Sequence, residues 1–186
     1  MDKQQEILKA ALALFVEYGF HGTPTSMIAK RAGVANGTLF HYYKTKDELI
    51  TALYVSVKKQ MTECAAVDNT ADLLLKETCK RFYTNALNWG LDNNTEFRFL
   101  QQFMNSPYTS LLPPELKEQS HAWMEVIKMG IETRQIRPLS PDYIATILSS
   151  HLFGVNQYIT NTTLSDTERK DIINESFEMV WGMIAT

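Results

Sequence analysis

Asn36, Gly37, Thr38, His41, Tyr42 and Lys46 place six residues suited to polar recognition within one short stretch of chain. Their chemistry is that of binding rather than bond-making. An Asn amide can pair with the edge of an adenine. A Thr can bond a base or touch a thymine methyl, and a Gly lets backbone approach closely. Tyr42, His41 and Lys46 can donate to phosphate oxygens. Thr38 and Tyr42 are four apart and are expected to share a helix face opposite Leu39 and Tyr43, which are read as core. Asn36 is also compatible with a turn or cap that touches no nucleic acid. Lys30 and Arg31 fit a surface role as well as a contact.

These side chains need a short helix projected away from its support. Ile28, Ala29 and Ala32 mark one face of a first short helix, and Gly33 can end it in a left-handed conformation. After a three-residue turn, a second short helix runs through Gly37 to Tyr43, anchored by Val34 and Leu39. Two short helices crossing steeply at such a turn send the N-terminal end of the second toward a major groove. Before them lies an amphipathic segment (Ile7, Leu8, Ala11, Leu14, Phe15, Tyr18) stopped by Gly19. Thr23-Pro24 is expected to be an N-cap followed by Pro at the first helical position. After them, Thr45 with Glu48 forms a capping-box pattern that opens a long helix with Leu49, Leu53, Val57 and Met61 on its apolar face.

Gly19-Phe20, Thr23, Ile28-Ala29, Ala32-Gly33-Val34, Gly37-Thr38-Leu39-Phe40-His41-Tyr42-Tyr43 and Lys46-Asp47-Glu48-Leu49 together resemble the N-terminal signature of the TetR family. The resemblance covers about residues 5–55. It implies an all-α homodimer that represses transcription from a palindromic operator in double-stranded DNA until a small-molecule inducer binds. It also implies that the last two long helices, about 141–160 and 166–184, build a four-helix dimer interface. Phe153, Val155, Ile159, Phe177 and Trp181 are the seam candidates. Two positions depart from the pattern. Ala35 stands where Ser or Thr often caps the recognition helix, and Phe40 stands where Tyr is common, so a cap and a hydroxyl contact are expected to be lost.

The rest of the chain continues in helical patterns. Asp68-Asn69-Thr70 reads as a loop and cap, and helices follow through Leu74–Trp89, Phe97–Phe103 and Trp123–Ile131. Ser140-Pro141-Asp142 and the capping box Ser165-Asp166-Thr167-Glu168 open the last two. The expected architecture is all-α. An N-terminal three-helix helix-turn-helix domain at 1–47 precedes a C-terminal helical ligand-binding and dimerisation domain at 48–186. The aromatic middle region is mostly core, yet an inducer pocket must be carved from the same residues. Phe82, Trp89, Phe99, Phe103, Trp123 and Ile127 are its candidate walls.

Composition excludes several classes. The 186 residues are 45% hydrophobic and 21% charged, which suits a packed protein rather than a disordered one. Residues 1–60 hold eight Lys/Arg against five Asp/Glu, a local +3, while the remainder is −6. A basic head on an acidic body fits a polyanion partner for the head alone. No basic start with an apolar run marks a secretory signal, and no span suits a membrane, so a cytoplasmic location is expected. Cys64 and Cys79 are too few for a disulfide framework or a zinc cage and are read as small buried side chains. Lys58 and Lys59 are read as a solvated face. His21, His121 and His151 lack metal-ligand spacing and are read as structural. No catalytic motif, metal site or cofactor is expected, which argues against an enzyme. A protein-binding module that kept the fold without DNA binding is the remaining rival.

Overall fold

The computed structural model describes residues 2–67, 74–113 and 121–186, with the side chains of 121 and 122 outside the description. The expected loop and cap at Asp68-Asn69-Thr70, the residue Pro114 and the side chain of His121 lie outside the described residues. Among those described there are nine α-helices: α1 (Lys3–Tyr18), α2 (Thr25–Arg31), α3 (Asn36–Tyr42), α4 (Lys46–Ala65), α5 (Leu75–Asp92), α6 (Asn94–Met104), α7 (His121–Glu132), α8 (Pro141–Asn161) and α9 (Asp166–Ile184). A 3-10 turn, Pro107–Leu111, follows α6. The only β feature among the described residues is an isolated antiparallel bridge between Ile136 and Ala185. The chain is therefore all-α.

Helix boundaries follow local chemistry. The Asp2 side chain caps α1 by accepting from the Gln4 amide at 3.0 Å. Gly19 ends that helix at φ 72°, and Gly33 turns the chain between α2 and α3 at φ 67°. The Thr23-Pro24 expectation requires correction. Pro24 itself is the N-cap of α2, without a side-chain cap bond. Thr23 is wholly buried, and its hydroxyl is shared between the Leu14 carbonyl at 3.1 Å and the Gly19 carbonyl at 2.8 Å. It therefore fastens the end of α1 rather than starting α2. The capping box at Ser165 is present with both of its reciprocal bonds. At Thr45 the box is offset: the Glu48 amide donates to the Thr45 hydroxyl, but the Glu48 carboxylate accepts from the Lys44 amide. The helix expected through Leu74–Trp89 runs as α5 from Leu75 to Asp92.

The chain divides into two compact units. The first comprises Met1–Gln60 with Asn93–Lys117. Here α1 packs on α2, α3 and α6, and α2 packs on α3. Its core joins Ile7, Leu14, Phe15 and Ile28 to Leu39, Leu49, Ile50, Phe99 and Phe103, all 3% exposed or less. The aromatic rings interlock: Phe15 lies 5.2 Å from Phe20, Phe20 lies 5.9 Å from Phe99, and Tyr54 stacks on Phe103 at 4.0 Å. Burial of each such side chain contributes roughly 1.5–3 kcal/mol before entropy is counted. The helix-turn-helix is thus braced by α6, a segment remote in sequence.

The second unit comprises Met61–Asp92 with Glu118–Thr186. Within it α5 packs on α7, α8 and α9, and α8 packs on α7 and α9. Leu75, Tyr83, Leu87, Ile127, Ile144, Ile173, Phe177 and Val180 belong to its apolar core. One buried polar knot crosses that core. The Tyr83 hydroxyl and Ser176 Oγ lie 2.9 Å apart, and His151 Nε2 lies 2.9 Å from the Ser176 carbonyl. Burial raises the Tyr83 pKa, while its bond to Ser176 acts the other way. Arg137 closes the C-terminus, its amide donating to the Ile184 carbonyl and its Nε to the Ala185 carbonyl.

Candidate nucleic-acid interface

The interface is built on α3. Its 3.6-residue repeat puts Leu39 and Tyr43 on one side, and they are 0% and 5% exposed. The Tyr43 hydroxyl accepts from Gln4 Nε2 at 3.2 Å, which ties the end of α3 to the start of α1. Burial raises its pKa. The side diametrically opposite carries Gly37 and His41, both exposed. Thr38 and Tyr42 flank that side instead of forming it. Thr38 is half-buried, and Tyr42 is exposed with its ring edge-on to His41 at 5.6 Å. Asn36 lies exposed at the first helical position. A Cβ on Gly37 would meet nothing within 4 Å, so the backbone there is open to a partner.

Ala35 is the N-cap of α3 with extended backbone and no side-chain cap bond, so the expected loss of a cap stands. The early amides of α3 therefore receive no bond from the cap side chain. Phe40 is 38% exposed on the same arc as Asn36. Lys44, exposed in the turn after α3, adds a cation that the sequence reading passed over. The spacing Tyr42-x-Lys44-x-Lys46 was the signal that could have found it.

Lys46 is placed differently from the other five. Its ammonium donates to the Phe20 carbonyl and is partly buried. Desolvation lowers its pKa, with the Asp47 carboxylate acting in the opposite direction. An ammonium has three donors, so this bond leaves two for an anion. Lys58 corrects another expectation. It is no open solvated face: it is half-buried, and burial pushes its pKa down to about 8.

The six candidate ligand-binding residues do not fall in one unit. Phe82, Trp89, Trp123 and Ile127 belong to the second, where Phe82 stacks flat on Trp123 at 4.2 Å. Phe99 and Phe103 belong to the first and are fully buried. A cavity of about 270 Å³ opens instead against α5 and α9, lined by Thr84, Asn88, Arg169, Lys170 and Asn174 among others. Ile159 and Phe177 of the expected dimer seam are likewise core residues of their own protomer. Cys79 is buried as read, its thiol pushed up to about 12, but Cys64 is exposed. Among the described residues, no group of three or more His, Cys, Asp or Glu side chains could hold a metal ion, and no helix is long and apolar enough to cross a membrane.

A short helix with one buried and one open side, set on a tight left-handed turn and braced by α1, defines a helix-turn-helix DNA-binding protein. Residues 7–53 match the family model described as bacterial regulatory proteins, tetR family. The uncharacterized HTH-type transcriptional regulator YhgD of Bacillus subtilis is 24% identical over 153 residues, 80% of this chain and 79% of that one. The HTH-type transcriptional repressor KstR2 of Mycobacterium tuberculosis is 25% identical over 142 residues, 73% and 70% of the two chains. A crystal structure from Shewanella sp. PV-4, assigned to the tetR family of transcription regulators, superimposes over 100% of both chains with a TM-score of 0.86 and 28% identity. These likenesses support membership of the TetR family of transcriptional regulators.

Proposed function

We propose that this protein is a cytoplasmic, ligand-responsive repressor that binds a palindromic operator as a homodimer and is released by a small molecule. The observation that carries the reading is the open side of α3. Asn36, Gly37, Thr38, His41 and Tyr42 stand clear or partly clear of the core while Leu39 and Tyr43 hold the helix down. In this reading Asn36 and Thr38 meet base edges, Gly37 permits close approach, and His41, Tyr42 and Lys46 position the duplex through phosphates. The N-terminal part, 1–47, recognises DNA, and 48–186 binds ligand and dimerises.

Dimerisation is supported by exposed apolar side chains on the last two helices. On α8, Tyr143 and Tyr158 are 56% and 54% exposed; on α9, Met179 and Met183 are 67% and 52% exposed. Gly154 and Gly182 lie beside them, and a Cβ at either would meet nothing within 4 Å. A second copy bringing the same faces together would form a two-fold interface. For the ligand, Phe82, Trp89, Trp123 and Ile127 are the proposed apolar walls. Helix α4 carries the signal, since Lys46–Gln60 lies in one unit and the helix continues into the other.

The test is selection from a library of random duplex DNA. The repressor should enrich an inverted repeat with half-sites about one helical turn, about 34–36 Å, apart. Enrichment of no site, alongside capture of a protein partner, favours the adaptor reading instead.

A further inference from the structure

Tyr108, in the 3-10 turn after α6, packs against Phe20, the residue whose carbonyl anchors Lys46. Ser106 starts the turn: its Oγ donates to the Phe103 carbonyl at 2.6 Å and accepts from the Tyr108 amide at 3.3 Å. Tyr108 is thereby held edge-on against Phe20, with ring centroids 5.0 Å apart at 62°. Phe20 is 8% exposed and is clamped from the other sides by Phe15 and Phe99. The carbonyl of this same Phe20 accepts the Lys46 ammonium. Tyr108 is also within electrostatic reach of Asp47, the residue after Lys46; desolvation and that carboxylate both raise its pKa.

We propose that Tyr108 is a positioning residue for DNA binding: by fixing Phe20, it fixes the carbonyl that aims the Lys46 ammonium at a backbone phosphate. The proposal rests on the DNA-binding reading above. Tyr108 itself touches no DNA in this scheme. Lys46 gives one N–H to the Phe20 carbonyl, which leaves two for the phosphate. Without that tether the ammonium is not held where the phosphate lies, so the contact and its counterion release are lost together. The segment that follows α6 thus has a direct hold on a phosphate contact at the head of α4.

Because a phosphate contact is sequence-independent, the probe is a fluorescently labelled duplex of random sequence, titrated over a series of salt concentrations. Losing one phosphate contact lowers the slope of log K against log salt by about 0.9. Lys46→Ala should show that loss, and so should Tyr108→Ala. The double variant should lose no more slope than either alone. Tyr108→Phe keeps the ring edge and should keep the wild-type slope. Between about 50 and 200 mM salt, affinity of the single variants should therefore fall about 3-fold less than that of the wild type. If Tyr108→Ala does not fold, judged by circular dichroism, Tyr108→Leu is read in its place with the same expectation. A folded Tyr108→Ala or Tyr108→Leu protein with an unchanged slope overturns the proposal, as does a Lys46→Ala protein with an unchanged slope. A wild-type chain that binds no duplex even at low salt overturns the DNA-binding reading as well.

Discussion

Replacing Thr23 with Val separates two accounts of the same residue. The side chain is wholly buried, and its hydroxyl proton is shared between two carbonyl oxygens at the end of α1. Val preserves the shape and removes the donor. Leaving a buried acceptor without its partner costs about 1–3 kcal/mol. For a chain of this size each kcal/mol moves the melting temperature by about 2–4 °C, so the expected drop is about 2–12 °C. Thr23→Asp sharpens the test. If Thr23 capped α2, Asp would serve as well or better. In the observed geometry Asp sets a carboxylate against two carbonyl oxygens in a wholly buried site, and must be worse than Val. Thermal unfolding followed by far-UV circular dichroism reads both. A Val variant that melts with the wild type, or an Asp variant more stable than Val, would refute the buried-clasp account.

Thr38→Ala should relax base preference at particular positions of a selected operator by roughly 1–3 kcal/mol, while leaving the salt slope unchanged in binding titrations. Met179→Asp, on a side chain 67% exposed in the single chain, should turn a sedimenting dimer into a monomer without loss of helix signal. Ser165→Ala should destabilise the protein by about 0.5–2 kcal/mol in urea unfolding. The same change has a pH signature. Bonds from Ser165 hold the Glu168 carboxyl below its ordinary 4.5, so their stabilisation is full above that value and fades as pH falls through the lowered one. The variant should therefore lose less stability than the wild type on acidification through that window. A thiol reagent at mildly alkaline pH should modify one cysteine per folded chain, Cys64, and reach Cys79 only on unfolding, because Cys79 is buried with its pKa pushed up to about 12.

The helical class and the turn at Gly33 were legible in the sequence because periodicity and left-handed glycines are local properties. So was the buried pair Leu39 and Tyr43, from which the open side of α3 follows. Three features were not legible. The bond from Gln4 to Tyr43 and the tether from Lys46 to Phe20 join residues 39 and 26 positions apart, while the partners of Thr23 depend on how the chain folds back over the end of α1. Nothing local distinguishes an N-cap Thr from one folded back onto the preceding helix. Two of the expected seam residues lie in the chain's own core, which was not legible for a related reason. Ile159 and Phe177 are apolar at helical spacing, but spacing alone cannot say whether an apolar face meets its own chain or another. Exposure narrows that choice: Tyr143, Tyr158, Met179 and Met183 are open in the single chain and are the side chains the proposed interface would use.

The first unit draws on two separated stretches, Met1–Gln60 and Asn93–Lys117. During synthesis this has a cost in time. Translation at about 5–20 residues per second needs about 4–17 s to travel from the end of α1 to the end of α6. Throughout that interval the face of α1 that receives α6 has no partner, and Phe15 and Phe20 lack the ring of Phe99. Until then the nascent head exposes apolar surface that the finished chain covers, the condition that favours aggregation. A hybrid regulator spliced just after α4 would make that interval permanent, because the donor's α6 would never arrive. Transplanting this head onto another body would require carrying residues 93–104 along with it.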